Sequence, residues 1–471
     1  MCGSRQFLGG TSRGALSKAA SGIVILLSVV FAGQAHAQDQ RTVLEPVIPV
    51  VCRTLSSSLA AIENNTTLAA SDEQKPDTAR IQQAIDACPP GHAVELQPST
   101  SHNAFLAGPL QLRAGVTLLV DANTVLFASR NARDYDVAPG ACGVVDHNGH
   151  GCKGLINADH VANAGVEGNG VIDGRGWAKL SGQRESWWQL AEDARTGDRS
   201  QNCPRLLQLT QADNFTLYRI TLKNSPNFHV AYTHGDGLTV WGIKIDTPKT
   251  ARNTDGIDPI SSTNVTITRS YIQAGDDNVA IKAGDLGPSA NITVSNNHFY
   301  AGHGMSIGSE TNGGVSAVRV TNLTIDGADN GIRIKSNSSR GGLVRDVDYR
   351  DVCIRDTKNP IVMDTNYSFY GRARDRLPVF TDIVFRDVRV LGGGKVQLQG
   401  YDAMHRLGIQ FDDVAMEPLQ EVKISAAHAD IALGPGPVNF MPVGDDVNVT
   451  GKPHSSDSNI CANKFVPLPA N

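Results

Sequence analysis

Four short polar segments between residues 253 and 335 carry the side chains that are best suited to chemistry. They are Asn253-Thr254-Asp255, Gly275-Asp276-Asp277, Gly302-His303-Gly304 and Arg333-Ile334-Lys335. A patch that holds several carboxylates serves acid–base chemistry, because one can stay protonated while another is ionised. Glycoside hydrolysis suits such a patch, since one carboxylic acid protonates the leaving oxygen while another carboxylate activates water.

Each of these residues also has a plain structural interpretation. Asp255, Asp276 or Asp277 alone could be a turn residue, because Asp accepts local hydrogen bonds and tolerates left-handed backbone. His303, between two glycines, could be structural too. Structural turns do not need like charges on adjacent repeats, which repel each other and raise pKa values. The recurrence of these residues in one phase therefore favours an acid–base site.

Arg333 and Lys335 are expected to be exposed cations beside these carboxylates. Arg can hold a carboxylate through two hydrogen bonds, and Lys adds a point charge. A solvated strand face is the alternative for each of them. Next to a glycoside-cleaving group, the two cations indicate a substrate with sugar carboxylates, and hence a polymer of uronic acids.

Short repeats are the elements that must position these residues. The segments recur every ~22 to 29 residues, and a second apolar block that begins at Phe215 recurs as far as Met416. Such a unit cannot bury its apolar side alone, whereas coils stacked on one another bury a continuous core. The pattern therefore predicts an all-β chain folded as a parallel β-helix. With neighbouring strands ~4.8 Å apart, Asp255, Asp277 and His303 form a ladder at the first position of three successive coils.

The predicted organisation is one domain behind a removable leader. Residues 1–37 have a positive start, an apolar run and a small-x-small cleavage site, which is typical of a secretory signal peptide. Residues 38–471 form a single β-helix domain. It comprises a leading strand and capping helix (38–92), coils (93–416), and a C-terminal closure that ends in a loose tail (417–471).

The predicted export makes this a secreted protein. The apolar run of the leader is well short of the ~18 residues of a spanning helix, which argues against a membrane anchor. Cleavage before Gln38 leaves 39 basic and 47 acidic residues, a net charge of −8 that does not suit nucleic-acid binding. We expect a monomer with a polysaccharide partner, and neither a membrane nor a nucleic-acid partner.

Seven cysteines remain in the exported chain, where disulfides are favoured. Cys142 and Cys152 flank a Gly-rich loop, and Cys52 could tie the leading strand to Cys88. An odd count leaves one cysteine unpaired or paired between chains. The spacing shows no zinc signature.

A single amphipathic helix is predicted. Asp77 is a suitable N-cap for a helix over 78–88, which would cover the open end of the first coil. No long helical pattern follows residue 90. Residues 129–154 and 175–203 break the period and are expected to be loops beside the cleft.

The four segments resemble, in their order and spacing, the signature of the polygalacturonases, glycoside hydrolase family 28. The stretch from Gly302 to Thr311 is similar to the bacterial endo-acting branch, and the resemblance covers most of residues 75–420. It implies a right-handed parallel β-helix, no metal or other cofactor, and an inverting mechanism. The implied activity is hydrolysis of internal α-1,4-galacturonosyl linkages of homogalacturonan.

The resemblance also implies a role for each residue of the motifs. Asp276 would be the general acid, and Asp255 and Asp277 would hold and deprotonate the attacking water. His303 would support protonation of the acid. The implied substrate-binding residues are Arg333, Lys335, Tyr367 and Asn253.

Three other functions remain open from the sequence. An exo-acting or rhamnogalacturonan-cleaving relative would keep the same fold and chemistry. A pectate lyase on a similar solenoid would use calcium and eliminate rather than hydrolyse, but the Gly-His-Gly and Arg-Ile-Lys segments have no part in that chemistry. A non-catalytic carbohydrate-binding solenoid would have no reason to keep acid, base and cations together.

Overall fold

The computed structural model describes residues 38–147, 149–197, 199–368, 375–455 and 460–470. The predicted signal peptide over 1–37 lies outside these residues and stays a prediction. In the described chain, 31 strands belong to one large sheet whose strands pair in parallel. The all-β parallel β-helix predicted from the repeats is thereby confirmed. No helix among the described residues is long and apolar enough to cross a membrane.

Two α-helices accompany the strands in the described chain. The helices are α1 (Thr78–Ala87) and α2 (Trp187–Thr196), and short 3-10 helices span Asp72–Gln74, Ala132–Tyr135 and Leu419–Glu421. The first strands are β1 (Val50–Ser56), β2 (Ala61–Ile62), β3 (Thr67–Leu68), β4 (His92–Gln97), β5 (Ala104–Ala107), β6 (Leu110–Gln111), β7 (Val116–Val120), β8 (Val125–Ala128), β9 (Val145–Asp146), β10 (Ile156–Asp159), β11 (Gly165–Glu167), β12 (Val171–Asp173) and β13 (Ser200–Gln201). Next come β14 (Leu207–Thr210), β15 (Phe215–Tyr218), β16 (Thr221–Lys223), β17 (Val230–Thr233), β18 (Asp236–Trp241), β19 (Lys244–Asp246), β20 (Ile257–Ile260), β21 (Thr263–Thr268), β22 (Tyr271–Gln273), β23 (Val279–Ile281) and β24 (Ser289–Tyr300). The last are β25 (Met305–Ile307), β26 (Val315–Asp326), β27 (Asn330–Lys335), β28 (Leu343–Arg355), β29 (Asn359–Asp364), β30 (Val379–Phe380), β31 (Ile383–Leu391), β32 (Gly394–Gln399), β33 (Leu407–Glu417), β34 (Val422–Leu433) and β35 (Gly444–Thr450).

One face of the solenoid, which we call the site sheet, consists of β17, β20, β23, β25, β27, β29, β32 and β34. Each strand in this order pairs in parallel with the next. The other two faces share long strands. Strand β24, for example, pairs with β21 along its first part and with β22 along its last part. Each turn of the chain therefore lays one new strand beside the previous one on every face.

Every second side chain of the site sheet lies in the core, as the period-two alternation predicts. Ile257, Val279, Met305 and Ile332 are register partners on four successive strands, and all four are fully buried. Burying an aliphatic side chain of this size completely stabilises the fold by about 1.5–3 kcal/mol. The alternate residues point away from the core, so polar side chains at those positions gather on the outer surface of the sheet.

Helix α1 covers the first coil, as predicted, and its Ile81 and Ile85 are fully buried. The expected N-cap acts differently, because Asp77 makes no side-chain cap hydrogen bond. Its carboxylate instead accepts hydrogen bonds from Arg80 at 2.6 Å and from the backbone N–H of Leu106 at 3.1 Å. Asp77 therefore ties the helix to β5 rather than closing its first turn.

The expectation of a loop throughout 175–203 is wrong, because helix α2 lies within it. Ser186 and Gln189 form a reciprocal capping box, and Trp187 and Ala191 are among the residues that the helix buries. Ser-x-x-Gln is a helix-start signal that the sequence does carry. The helix packs against the antiparallel pair of β9 and β13, outside the coils, so the coil period gives no sign of it.

The stack extends past the last coil read from the repeat, because β34 pairs with β32 and β35 pairs with β34. The expectation of a loose C-terminal tail is wrong for residues 460–470. Tyr300 donates a hydrogen bond to the Val466 carbonyl at 2.9 Å, and the Arg355 guanidinium lies 4.2 Å from the centre of the Phe465 ring. This tail therefore runs back along the outside of earlier coils.

Three disulfides cross-link the described chain. Cys52–Cys88 and Cys142–Cys152 are the pairs that the sequence indicates, and Cys353–Cys461 fastens the C-terminal tail. Cys203 is the remaining cysteine, and it is unpaired and buried. Because its thiol lies in the interior, Cys203 is out of reach of a second chain.

Candidate active site

The structure brings the carboxylates and the histidine of the motifs onto adjacent coils of the site sheet. Asp255, Asp277 and His303 each stand two residues before a core position, and those core positions are register partners in β20, β23 and β25. The backbone N–H of Gly256 donates to the Asp277 carbonyl at 2.8 Å, and that of His303 to the Asp276 carbonyl at 2.9 Å. The three residues therefore occupy equivalent positions, as the repeat predicts.

Glycines allow these turns to approach each other closely. Gly304 has a φ of +68°, and a Cβ on it would lie 2.0 Å from the carbonyl oxygen of Gly331 on the next coil. A Cβ on Gly256 would lie 2.3 Å from the carbonyl oxygen of Asn278. Only a residue without a side chain fits at such distances. The glycines of the motifs therefore set the spacing of the polar residues beside them.

Asp277 is almost fully buried among polar partners. Its Oδ1 accepts hydrogen bonds from the Ser306 hydroxyl at 2.6 Å and from Arg333, and its Oδ2 accepts one from Lys335 Nζ at 2.8 Å. Burial alone would raise the pKa of Asp277, but the charges of Arg333 and Lys335 outweigh burial and hold this pKa well below its usual range. Asp277 is therefore ionised at any pH near neutrality.

The expectation that Arg333 and Lys335 are exposed is wrong. Both side chains point away from the core, yet each residue is only 6% exposed. The centre of the Tyr367 ring lies 5.8 Å from the Arg333 guanidinium and 5.1 Å from Lys335 Nζ. Cations this far from water need a counter-charge, which Asp277 supplies. Asp277 thus pairs with both cations, and Asp276 lies beside this group of charges.

Asp276 is the neighbour of Asp277 in sequence but has different partners. His303 Nδ1 donates to Asp276 Oδ1 at 3.0 Å, and the amide of Asn253 lies 3.5 Å from Oδ2. The Asp276 side chain is 20% exposed, so it can meet a ligand. Burial alone would raise the pKa of Asp276, but the hydrogen bond from His303 and the positive charges nearby lower it overall.

The pKa of Asp255 is shifted upward, in contrast to those of Asp276 and Asp277. It is 3% exposed, and Lys282 Nζ lies 3.2 Å from its Oδ2. Its Oδ1 has no hydrogen-bond partner in the part of the chain that the structure describes. Burial raises the pKa of Asp255 well above its usual value; Lys282 opposes this rise, and the neighbouring carboxylates add to it. The pKa values of Asp255 and Asp276 are therefore shifted in opposite directions, upward for Asp255 and downward for Asp276.

The sequence model of the glycosyl hydrolases family 28 matches residues 97–431. The chain belongs to this family. It is 44% identical over 388 residues to an endo-polygalacturonase of Pectobacterium carotovorum subsp. carotovorum, a match that covers 82% of this chain and 92% of that relative. A polygalacturonase of Ralstonia nicotianae is 38% identical over 519 residues, with 95% of this chain and 97% of that relative covered.

A solved structure supports the same assignment. The polygalacturonase from Erwinia carotovora ssp. carotovora superposes with a TM-score of 0.73 at 40% sequence identity, and the match covers 88% of this chain and 100% of that one. The exopolygalacturonase from Thermotoga maritima, with a TM-score of 0.65 at 21% identity, shares the fold. The range matched to family 28 includes every residue of the cluster, so the family assignment applies to the site itself.

Asp258 and Lys282 belong to the same cluster, although the motifs do not single them out. Lys282 Nζ lies 2.7 Å from Asp258 Oδ2 as well as close to Asp255, and burial raises the pKa of Asp258 to about 6. Asp258 and Lys282 alternate with core residues of β20 and β23, in the phase that Arg333 and Lys335 have in β27. That shared phase is the signal by which the sequence could have revealed them.

Phe228 and Arg205 continue the row of Asp255 onto the two preceding coils. The centre of the Phe228 ring lies 4.3 Å from Lys282 Nζ and 5.5 Å from the Arg205 guanidinium. The ring therefore packs against the cation that binds Asp255 and Asp258. These two residues carry no motif, and only the register of the coils places them beside the cluster.

Three side chains of the cluster carry atoms that could bind a metal ion. One ligand atom from each of Asp276, Asp277 and His303 lies within 4.8 Å of the others. Calcium, the ion of the lyase alternative, prefers six to eight oxygen ligands. Asp277 already binds Arg333 and Lys335, which would repel a divalent cation. The donor set therefore fits hydrolysis better than calcium-dependent elimination.

Proposed function

We propose that this protein is an endo-polygalacturonase that hydrolyses internal α-1,4-galacturonosyl linkages of homogalacturonan. The observation that carries the proposal is that three carboxylates and two buried cations lie together on adjacent coils. Membership of family 28 and the endo-polygalacturonase among the relatives support it. A neutral polysaccharide would not need buried cations at the cleaved bond.

Asp277 and Asp255 are the residues that we assign to the attacking water. Asp277 is held ionised, which a general base requires, although both of its oxygens already accept hydrogen bonds. Asp255 Oδ1 is a buried acceptor without a described partner, and such an atom is costly unless a ligand or a water satisfies it. A water between these two carboxylates would satisfy Asp255 and be polarised by Asp277.

Asp276 is the residue that we assign as general acid, and its proton must arrive with the substrate. In the free protein its pKa is lowered. A galacturonate carboxylate bound to Arg333 and Lys335 would offset the positive charge that keeps this pKa low, and the sugar would exclude water. Both changes raise the pKa of Asp276, so we propose that Asp276 takes up its proton from solvent as the substrate binds.

The expected inversion of the anomeric centre rests on the state of Asp277. Ligand oxygens of Asp276 and Asp277 lie within 4.8 Å, closer than the ~6.5–9.5 Å between the carboxyls of most inverting glycosidases. That spacing alone would suit a retaining enzyme. A nucleophile, however, needs a free oxygen, and both oxygens of Asp277 are engaged. We therefore propose attack by water and inversion.

His303, Asn253 and Tyr367 complete the proposed site. His303 and Asn253 contact opposite oxygens of Asp276 and would orient its carboxyl group toward the glycosidic oxygen. Gln201, from strand β13 outside the coils, donates to the Asn253 side chain at 3.2 Å. Tyr367 lies over the two cations and would place an aromatic face against the sugar that they bind.

Replacement of the acid, combined with product analysis, tests the proposed function. Asp276→Asn should lower kcat on polygalacturonate by about 10²-fold or more, because a general acid contributes roughly 10²–10⁴-fold. Asp356→Asn, at an exposed turn, serves as the matched control.

With the unaltered protein, viscosity should fall well before reducing ends accumulate, and the first product seen by NMR should be the β-anomer. Normal cleavage by Asp276→Asn would reject the acid, and viscosity loss proportional to reducing ends would indicate exo action.

We also propose that the protein is secreted and acts as a monomer. The leader pattern over 1–37 and the three disulfides support an oxidising, extracellular location. Amino-terminal sequencing of the exported protein should begin at Gln38, and light scattering should give the mass of one chain. An uncleaved amino terminus or a larger mass would contradict the respective proposal.

A further inference from the structure

The site sheet contains a cavity of about 350 Å³ that begins at Arg333 and Tyr367 and continues beyond the catalytic cluster. It extends across the strands that follow β27, toward the C-terminal coils. Lys395 of β32 and Lys423 of β34 line this cavity. Neither residue belongs to a motif of the family or to the site described above. The cavity therefore adds two cations to a groove that is already positively charged at Arg333.

The two lysines are direct register partners on neighbouring strands. Like charges directly opposite each other destabilise a sheet, and a purely structural coil has no reason to stack them. Neither lysine forms an ion pair with any described residue, and both are exposed. Asp364 is the only carboxylate among the residues that line the cavity, and it pairs with neither lysine. The positive charge of this pair is therefore available to an anionic ligand.

The rest of the cavity suits a sugar ring. Val362 gives an apolar surface, and Gln397 and Ser425 occupy the equivalent position on the next two coils. This row continues the one that holds Arg333. Binding sites for small polar molecules commonly combine an apolar wall with a few polar groups that fix orientation. The row is therefore charged at Arg333 and uncharged at the three positions that follow it. Lys395 and Lys423, which lie beside this row, provide the charge there.

We propose that Lys395 and Lys423 form a second carboxylate-binding subsite for the polyuronide, remote from the bond that is cleaved. Two to three strand spacings separate them from Arg333, which is about 10–15 Å or a few sugar units. This inference rests on the proposed function, because it assumes that a galacturonate chain lies along the site sheet. A chain long enough to reach both places is held by its carboxylates at each, so affinity depends on its length.

Hydrolysis of galacturonate oligomers of defined length tests the subsite. For the unaltered protein, kcat/KM should rise with oligomer length until the chain spans both cation pairs. In the double variant Lys395→Ala/Lys423→Ala, we expect kcat/KM on the longest oligomers to fall about threefold to tenfold, because two exposed ion pairs with substrate carboxylates are lost. The loss should lie in KM rather than kcat. The shortest cleaved oligomer, which does not reach the lysines, should be cleaved at the unaltered rate.

Two controls separate charge from structure. The double variant Lys395→Arg/Lys423→Arg should retain the dependence on length, and Lys452→Ala, an exposed lysine that does not line the cavity, should behave as the unaltered protein. Added salt should narrow the gap between the alanine variant and the unaltered protein, because exposed charges are screened. Equal kcat/KM for both proteins on every oligomer would overturn the subsite while leaving the proposed function intact. Failure of the unaltered protein to cleave any oligomer would overturn the proposed function itself.

Discussion

Asp277 sets the electrostatic balance of the catalytic cluster. It is 1% exposed and neutralises two cations that are themselves nearly buried. Removing one partner of a buried charge cluster leaves the other charges uncompensated, which costs much more than the cluster gains by forming. Asp277, which we propose to polarise the attacking water, therefore also allows Arg333 and Lys335 to be buried at the substrate-binding surface without a large loss of stability.

Asp277→Asn should therefore destabilise the fold, whereas Asp276→Asn should not. At neutral pH we expect the free energy of unfolding to fall by about 3–5 kcal/mol for Asp277→Asn, because Arg333 and Lys335 lose their counter-charge. Asp276 is partly exposed and pairs with neither cation within salt-bridge distance, so we expect its variant to lose under about 1 kcal/mol. Denaturation by urea measures both values.

The pH dependence of that difference has a definite sign. The pKa of Asp277 is depressed in the folded protein, so its stabilisation is complete above the unfolded pKa of ~3.9 and is lost as pH falls toward the folded pKa. The gap in stability between the unaltered protein and Asp277→Asn should narrow below about pH 4. A gap that stays constant to strongly acid pH would contradict the pairing.

Lys335→Ala should alter catalysis as well as binding, because Lys335 Nζ lies 2.8 Å from Asp277 Oδ2. Loss of one of two cations raises the pKa of Asp277, which must be ionised to act on water. We expect the acid limb of the kcat/KM profile to move to higher pH and KM for polygalacturonate to rise about tenfold. Lys452→Ala, an exposed lysine outside the cluster, is the control. An unchanged acid limb with a raised KM would assign Lys335 to binding alone.

The sequence predicts which residues of the cluster share a coil position but not which atoms they contact. Phase alone places Asp255, Asp277 and His303 in one row, because each coil advances the chain by one strand spacing. Phase cannot show that Asp277 forms ion pairs with both Arg333 and Lys335, or that Lys282 pairs with Asp255. Those pairings depend on the reach of long side chains and on burial, for which the repeat carries no signal. The raised pKa of Asp255 and the lowered pKa of Asp276 follow only from these contacts.

At the scale of elements, the turn between β24 and β25 determines how His303 meets Asp276. Gly302 and Gly304 both have φ near +68°, so the histidine sits between two left-handed residues. The Gly-His-Gly segment is readable from the sequence as a tight turn. The approach to the next coil, where the Gly331 carbonyl lies against Gly304, becomes evident only when the coils are stacked.

Gly304→Ala should therefore impair catalysis through the backbone. Its Cβ would lie 2.0 Å from the Gly331 carbonyl oxygen, in a backbone conformation that alanine disfavours. We expect kcat to fall about 10²-fold as His303 is displaced from Asp276, because small misplacements at a reacting centre have effects of this size. Gly284→Ala, where nothing lies within 4 Å of the added Cβ, is the matched control. Equal kcat for both variants would show that the close approach does not position the histidine.

Elements outside the coils support the site, and the sequence does not predict them. Helix α2 and strand β13 fall in 175–203, a range that the period identifies only as an interruption. Yet Gln201 of β13 holds Asn253, and Arg252 donates to the Ala191 carbonyl of α2 at 2.8 Å. A repeat reveals only what is repeated. One antiparallel strand pair and one ten-residue helix, each of which occurs once, therefore leave no periodic trace.

At the scale of the molecule, both ends of the described chain lie back along the coils. Near the amino end, Asp39 accepts a hydrogen bond from Thr266, and Glu45 accepts one from Tyr218. The tail over 460–470 crosses earlier coils in a similar way on another face. A solenoid in which each coil contacts only its neighbours is thus bridged over several coils by segments far apart in sequence.

The Cys353–Cys461 disulfide should therefore contribute more to global stability than Cys142–Cys152. The two bonds close loops of 108 and 10 residues. In the chain-entropy description these loops correspond to about 4.8 and about 2.7 kcal/mol of stabilisation, so the longer loop has the larger effect. The double variant Cys353→Ser/Cys461→Ser should lower the free energy of unfolding by roughly 2 kcal/mol more than Cys142→Ser/Cys152→Ser, as measured by urea denaturation.

Measurement of kcat distinguishes a tail that only stabilises the fold from a tail that takes part in the active site. Cys353 lies in β28, and the tail contacts β24 and β28 rather than the site sheet. At temperatures where both variants are folded, kcat on polygalacturonate should equal that of the unaltered protein. Replacing both cysteines of a pair leaves no new thiol to exchange with the remaining disulfides. Equal destabilisation by the two variants would show that the tail detaches without loosening the coils, and the solenoid would then derive its stability from neighbouring coils alone.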